Sequence, residues 1–72
     1  MNERLLDARK AKRFKQKQIA DLVGIDRSTY SHYERGRRPP LDVALRIAKV
    51  LGRPVEKIFD MHVPPRHENT GT

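Results

Sequence analysis

The sequence has no cysteine, no tryptophan and only four aromatic residues, and its nine acidic side chains are outnumbered by sixteen lysines and arginines. Without cysteine there is neither a disulfide nor a thiolate zinc site. Long apolar runs are missing too. Val43-Ala44-Leu45 and Val50-Leu51 are broken by charges within a few positions, far short of the roughly 20 residues that span a bilayer. No apolar stretch of the secretory kind follows Met1-Asn2-Glu3-Arg4, so the default address is the cytoplasm and no membrane partner is expected. With 72 residues there is room for one core. A chain of that size buries roughly 60% of its unfolded surface and relies on compact packing or self-association.

What the sequence has in excess is positive charge, placed unevenly. Residues 1–40 carry eleven Lys/Arg against five Asp/Glu, a net of +6, whereas residues 41–72 carry five against four, a net of +1. A field concentrated in one half suits a polyanion, because neutralising phosphates releases counterions before any sequence is read. A solvated surface that only maintains solubility is the alternative.

Apolar residues recur with helical spacing and no alternating run argues for a strand, so the expected class is all-α, a compact bundle of five helices over residues 1–60. Asn2 caps a first helix that starts at Glu3, turns Leu5 and Ala8 inward and ends near Lys12 or Arg13. A second spans Gln16 to Val23, with Ile19, Ala20 and Val23 on one side and Gly24 placed to end it in a left-handed conformation. After Ile25, the side chain of Asp26 is expected to cap a third helix running to about Arg35 and stopping at Gly36. The loop Arg37-Arg38-Pro39-Pro40 follows, its consecutive prolines incompatible with a helix. Leu41, Ala44, Leu45, Ala48 and Leu51 then mark the stripe of a fourth helix ending at Gly52. Pro54 opens a short fifth, with Val55, Ile58 and Phe59 inward. From Asp60 the pattern fails, and residues 61–72 read as a flexible tail in which Met61 and Val63 can pack on a partner.

Two short helices joined by a tight glycine turn, with Ala20 four residues before Gly24, form a helix-turn-helix unit over residues 16–35. Ala20 lets the helices cross closely, Gly24 permits the sharp turn and Ile25 plugs the wedge, leaving the second helix as a rigid probe. At about 100° per residue, Arg27, Ser28, Ser31 and His32 share one side of that probe while Tyr30 and Tyr33 anchor the other. The outward set suits a major groove. Arg27 can give two parallel bonds to guanine, Ser28 can bond several base edges, and His32 reaches bases or phosphate one turn on. The rival reading of Arg27 is a solvated side chain in a helix-end ion pair with Asp26.

The stretch from Gln16-Lys17-Gln18-Ile19-Ala20 through Gly24 to Tyr33-Glu34-Arg35-Gly36, continued by Pro39, Ile47-Ala48-Leu51-Gly52 and Ile58-Phe59, closely resembles the phage-repressor and Cro-type helix-turn-helix regulators, also called xenobiotic-response-element-like. The likeness covers about residues 4–60. It implies a small DNA-binding regulator, most often a repressor, that works as a homodimer on a pseudo-palindromic operator. It assigns Gln16, with Lys15 beside it, to a phosphate at the start of the second helix. Thr29 is implied at the border of the reading face, donating to phosphate or offering its methyl to thymine. Arg35, Arg37 and Arg38 are implied on the sugar-phosphate backbone at the far edge, though basic loops also complement a helix dipole with no ligand present. Arg9 and Glu34 are implied as an ion pair holding the third helix to the first. The sequence departs from the family where Lys15, Pro40 and Pro54 stand at helix starts that commonly carry Ser or Thr.

Other classes fit less well. His32, His62 and His67 are scattered, no HExxH, phosphate loop or nucleophile elbow occurs, and Ser28, His32 and Asp26 on one exposed helix lack an oxyanion hole and a walled cleft. No enzyme activity, cofactor, metal or small-molecule ligand is therefore expected. Phe14, Tyr30, Tyr33 and Phe59 map to core faces, which disfavours stacking on single-stranded nucleic acid. The serious rival is an antitoxin or adaptor using the same fold, with affinity residing in an apolar surface around the last helix and tail. The homodimer surface is expected at the same place, on the fifth helix and Met61 to Pro65.

Overall fold

In the computed structural model, residues 1–59 are described. Among them there are four α-helices and no strand: α1 (Glu3–Ala11), α2 (Gln16–Val23), α3 (Arg27–Glu34) and α4 (Leu41–Leu51). A single 3₁₀ turn (Val55–Lys57) closes the order. The expected tail, with its histidines and the proposed partner segment at Met61 and Val63, lies outside the described residues.

α1 begins where Asn2 turns into an extended conformation and its Oδ1 accepts the Leu5 N–H at 3.0 Å. The same residue ties down distant parts of the chain. Its backbone N–H donates to the Glu34 carbonyl at 2.8 Å and its Nδ2 to the Ile58 carbonyl at 2.9 Å, so the start of α1, the end of α3 and the 3₁₀ turn meet at one side chain. α1 ends without a glycine. Arg13 takes the left-handed conformation at φ 59°, and the Phe14 N–H reaches back to the Arg9 carbonyl at 3.2 Å. A non-glycine residue there carries a steric cost of about 1 kcal/mol.

Lys15 has no acceptor with which to cap α2. Gln18 supplies the other half of a capping box instead, its Oε1 accepting the Lys15 N–H at 2.7 Å. At the far end Gly24 sits at φ 87°, and the N–H groups of Gly24 and Ile25 both bond the Ala20 carbonyl. Nothing lies within 4 Å of where a Cβ would stand on Gly24, so backbone conformation rather than space demands glycine there. Asp26 precedes α3 in an extended conformation and its carbonyl accepts the Tyr30 N–H at 3.0 Å, but its side chain makes no cap bond. The expectation of an Asp26 side-chain cap is thus not met. The residue is exposed, where solvent can satisfy helix-start amides in place of the carboxylate.

The core combines Leu5 and Ala8 of α1, Ile19, Ala20 and Val23 of α2, Tyr30 and Tyr33 of α3, and Ala44, Ile47, Ala48 and Leu51 of α4, closed by Val55, Ile58 and Phe59. Two expectations change here. The inward face of α4 uses Ile47 in place of Leu41 and Leu45, which stay 43% and 38% exposed. At about 100° per residue the buried arc of Ala44, Ile47, Ala48 and Leu51 centres between Ile47 and Ala48, which leaves Leu41 and Leu45 on its shoulder. The expected fifth helix is only one 3₁₀ turn. Gly52 ends α4 at φ 70° and Pro54 is extended, and the Lys57 and Ile58 N–H groups bond three residues back to Pro54 and Val55, with the Phe59 N–H also reaching the Val55 carbonyl at 2.8 Å.

Candidate nucleic-acid interface

Rotation along α3 sorts its side chains. Tyr30 is fully buried and Tyr33 nearly so, while Arg27, Ser28, His32 and Arg35 are exposed. Arg35 remains in a right-handed helical conformation at the C-cap, so it continues the outward line of Ser28 and His32. Ser31 and Thr29 are half-buried on the two shoulders of that line. Thr29 lines a shallow depression together with Asp26 and with Asp21, which pairs with Lys17 at 3.1 Å.

At the C-terminal end of α3 lies a polar network whose centre is Glu34, the one charged residue buried among the described residues. Arg9 donates through Nε to Oε2 at 2.5 Å and through Nη2 to Oε1 at 3.4 Å, and its Nη1 bonds the Phe14 carbonyl at 2.8 Å. The Tyr30 hydroxyl donates to Oε2 at 2.7 Å and Gln16 Nε2 to Oε1 at 2.9 Å. Burial on its own pushes the Glu34 carboxyl up, but the donors from Arg9, Tyr30 and Gln16 together outweigh it and hold the group below the ordinary carboxylate value. Burial first, and then its bond to that carboxylate, pushes the Tyr30 phenol up. The bond to Glu34 raises Arg9, against an opposing effect of burial.

An ionised carboxylate only accepts hydrogen bonds, so Gln16 must turn its amide nitrogen toward Glu34 and its oxygen away. That oxygen accepts from Arg27 Nη1 at 3.3 Å. The leading ends of α2 and α3 therefore share one edge, with Arg27 seated against Gln16 rather than in an ion pair with Asp26. Gln16, which the sequence resemblance assigns to a phosphate, has both ends of its amide engaged inside the molecule. Neither its bond to Glu34 nor its bond to Arg27 is apparent in the sequence. The Tyr30–Glu34 bond has a signal in retrospect, since residues four apart on a helix are neighbours.

Lys15, Arg37 and Arg38 are exposed around this edge and the Gly36 turn. Arg46 of α4 was not singled out by sequence, and its Nη1 reaches the Val23 carbonyl at 3.4 Å at the end of α2. Among the described residues no three His, Asp or Glu side chains are grouped to hold a metal. No described helix is long and apolar enough to cross a membrane.

An all-helical fold in which a short α2, a glycine turn and a projecting α3 share a polar hinge defines a helix-turn-helix protein. Residues 5–58 match the helix-turn-helix family, and the chain belongs to it. Over 58 residues the chain is 39% identical to the HTH-type transcriptional regulator AnsR of Bacillus subtilis (strain 168), covering 79% of this chain and 50% of that protein. It is 33% identical over 64 residues to the uncharacterized HTH-type transcriptional regulator YobD of the same organism, covering 88% of this chain and 57% of that one. It is 40% identical over 48 residues to repressor protein C of Escherichia phage P2, covering 65% and 48% respectively. The chain thus spans about half the length of the curated relatives it matches.

Proposed function

We propose that this chain binds double-stranded DNA sequence-specifically as a transcription regulator, in the repressor manner, with α3 lying in the major groove. The observation that carries this reading is the seating of Arg27. An exposed guanidinium at the tip of α3 is held by Gln16, whose amide is itself oriented by the buried Glu34. A donor fork restrained before contact loses less entropy on binding than a free surface arginine.

In this reading Arg27 and Ser28 meet base edges first, His32 reads one turn later, and Ser31 contributes from its half-buried shoulder. Lys15, Arg35, Arg37 and Arg38 contact phosphates, as does the leading edge of α2 at Gln16 through its backbone amide. Thr29 is the weakest member of the set, because it is half-buried and the Asp26 carboxylate lining the same depression would repel a phosphate. One such helix reads few base pairs, so two copies on half-sites one helical turn apart, about 34 Å, are the economical arrangement. The names of AnsR, YobD and the P2 repressor agree with a regulator of transcription.

Selection from random duplex oligonucleotides, followed by a salt titration on the enriched site, tests the reading. A defined half-site motif with a steep salt dependence is the expected result, and enrichment of no motif overturns it. The second reading, an antitoxin or adaptor, is favoured by Leu22, Leu41 and Leu45, which stand 60%, 43% and 38% exposed. Those leucines lie on α2 and α4, whereas Val55, Ile58 and Phe59 of the last turn are buried in the chain's own core, as the sequence expects, and the tail lies outside the described residues.

A further inference from the structure

The basic residues around the Gly36 turn do not stand alone. The bond from the Asn2 N–H to the Glu34 carbonyl brings the start of α1 against the end of α3, and a cleft of about 450 Å³ opens between them. Arg4 lines it from α1, and Gly36, Arg37 and Arg38 line it from the turn. Gly36 stands at φ 117°, and a Cβ there would make an ordinary contact 3.6 Å from the Met1 backbone nitrogen, so backbone conformation rather than space demands glycine. Three arginines from two segments far apart in sequence thus line one concave surface. Glu3 is the one carboxylate residue lining it among the described residues. Among the described residues, none of the three arginines has a carboxylate within ion-pair reach. The first-turn amide of Leu5 is already taken by the Asn2 side chain, so it is not free for an anion, and the Met1 nitrogen adds a donor to those of the arginines.

We propose that this cleft is a phosphate-binding site completed by Arg4. Like charges gathered in a recess repel one another and are stabilised when an anion enters. The planar donor fork of arginine matches phosphate oxygens better than a lysine would. Its position at the end of α3 makes a backbone phosphate flanking the half-site the expected source, and in that form the proposal rests on the DNA-binding reading above. A free phosphorylated compound would present the same chemistry.

The test uses the whole chain as Arg4→Ala and Arg4→Lys, with Lys49→Ala as a control that removes one cation from α4. Arg4 makes no side-chain hydrogen bond or ion pair among the described residues and is exposed, so the variants are checked for unchanged melting. If Arg4 neutralises a DNA phosphate, Arg4→Ala weakens enriched and random duplexes alike by about eightfold at 0.1 M salt. It also lowers the salt slope by about 0.9, while Arg4→Lys recovers part of the loss and Lys49→Ala leaves the slope unchanged. A second arm titrates pyrophosphate into the DNA-free protein and follows the arginine side-chain resonances. An Arg4-dependent response there, with DNA binding insensitive to Arg4, supports the site with a free phosphorylated ligand as its source. Insensitivity in both arms, or a slope change equalled by Lys49→Ala, overturns the proposal. In that event loss of enriched-site binding by Arg27→Ala would still uphold the DNA-binding reading. Conversely, failure of the wild type to bind any duplex removes that reading and leaves the pyrophosphate arm to decide the cleft.

Discussion

α1, α2 and α3 close around an ionised carboxylate, whereas the buried side chains of α4 and the 3₁₀ turn are aliphatic and aromatic, with polar ties only to backbone carbonyls at their edges. In the first region Glu34 receives donors from three elements, and its strength depends on every partner being present. In the second, Ala44, Ile47, Ala48 and Leu51 meet α2 and Val55 through contacts that are individually weak and have no preferred direction. The difference separates two jobs. Apolar burial supplies most of the cohesion, while the polar region fixes the one orientation of α3 and Gln16 that places Arg27 at the tip.

Substitutions that break one region and spare the other sharpen this contrast. Glu34→Ala or Arg9→Ala is expected to cost about 3–5 kcal/mol by leaving a buried charge or its donors unpaired. That is much of the 4–10 kcal/mol or so available to a chain of this size. Chemical denaturation measures it. Ile47→Ala in the apolar region should cost about 2–4 kcal/mol.

The two losses should differ in their response to pH. Because the folded-state pKa of Glu34 is depressed, its contribution is complete above the ordinary carboxylate value and is lost as pH falls through the folded value. The Tyr30 phenol is shifted upward, so its contribution is complete below its ordinary value of 10.0 and declines as pH rises beyond it. Melting temperature against pH should therefore fall at both extremes in the wild type and in Ile47→Ala. Glu34→Gln should flatten the acid limb, and an unchanged acid limb would show that Glu34 is not its source.

Arg27→Ala should cost about 1–3 kcal/mol on an enriched site and almost nothing on random duplex, read by fluorescence anisotropy. Equal losses on both would remove its base-reading role. Arg37→Ala should weaken both duplexes and reduce the salt slope by about one unit. The smallest effect is expected at the end of α1, where Arg13→Gly relieves a left-handed conformation and should raise stability by up to about 1 kcal/mol.

Much of this architecture is legible along the chain because it is local. Ala20, Gly24 and the tyrosines at 30 and 33 specify a turn, a close crossing and an inward face through relations spanning a few residues. The α4 face is harder to read. Leu41 and Leu45 satisfy helical spacing as well as Ile47 does, and only the identity of the packed neighbour chooses between them. The fifth helix fails because its signal, a proline followed by apolar residues at helical spacing, is shared by one 3₁₀ turn. Gln16 and Arg27 are eleven positions apart and Gln16 and Glu34 eighteen, beyond any periodic relation.

The amino-acid order by itself determined where helices stop, which α3 side chains turn inward and which half carries the positive field. These follow from backbone sterics, helical rotation and a count of charges. Tertiary structure alone decided which way the Gln16 amide faces, where Arg27 is seated and that Arg4 joins the arginines of the Gly36 turn. Those outcomes depend on desolvating Glu34 among donors from separate helices and on bringing the chain's start against the end of α3, which no local pattern encodes.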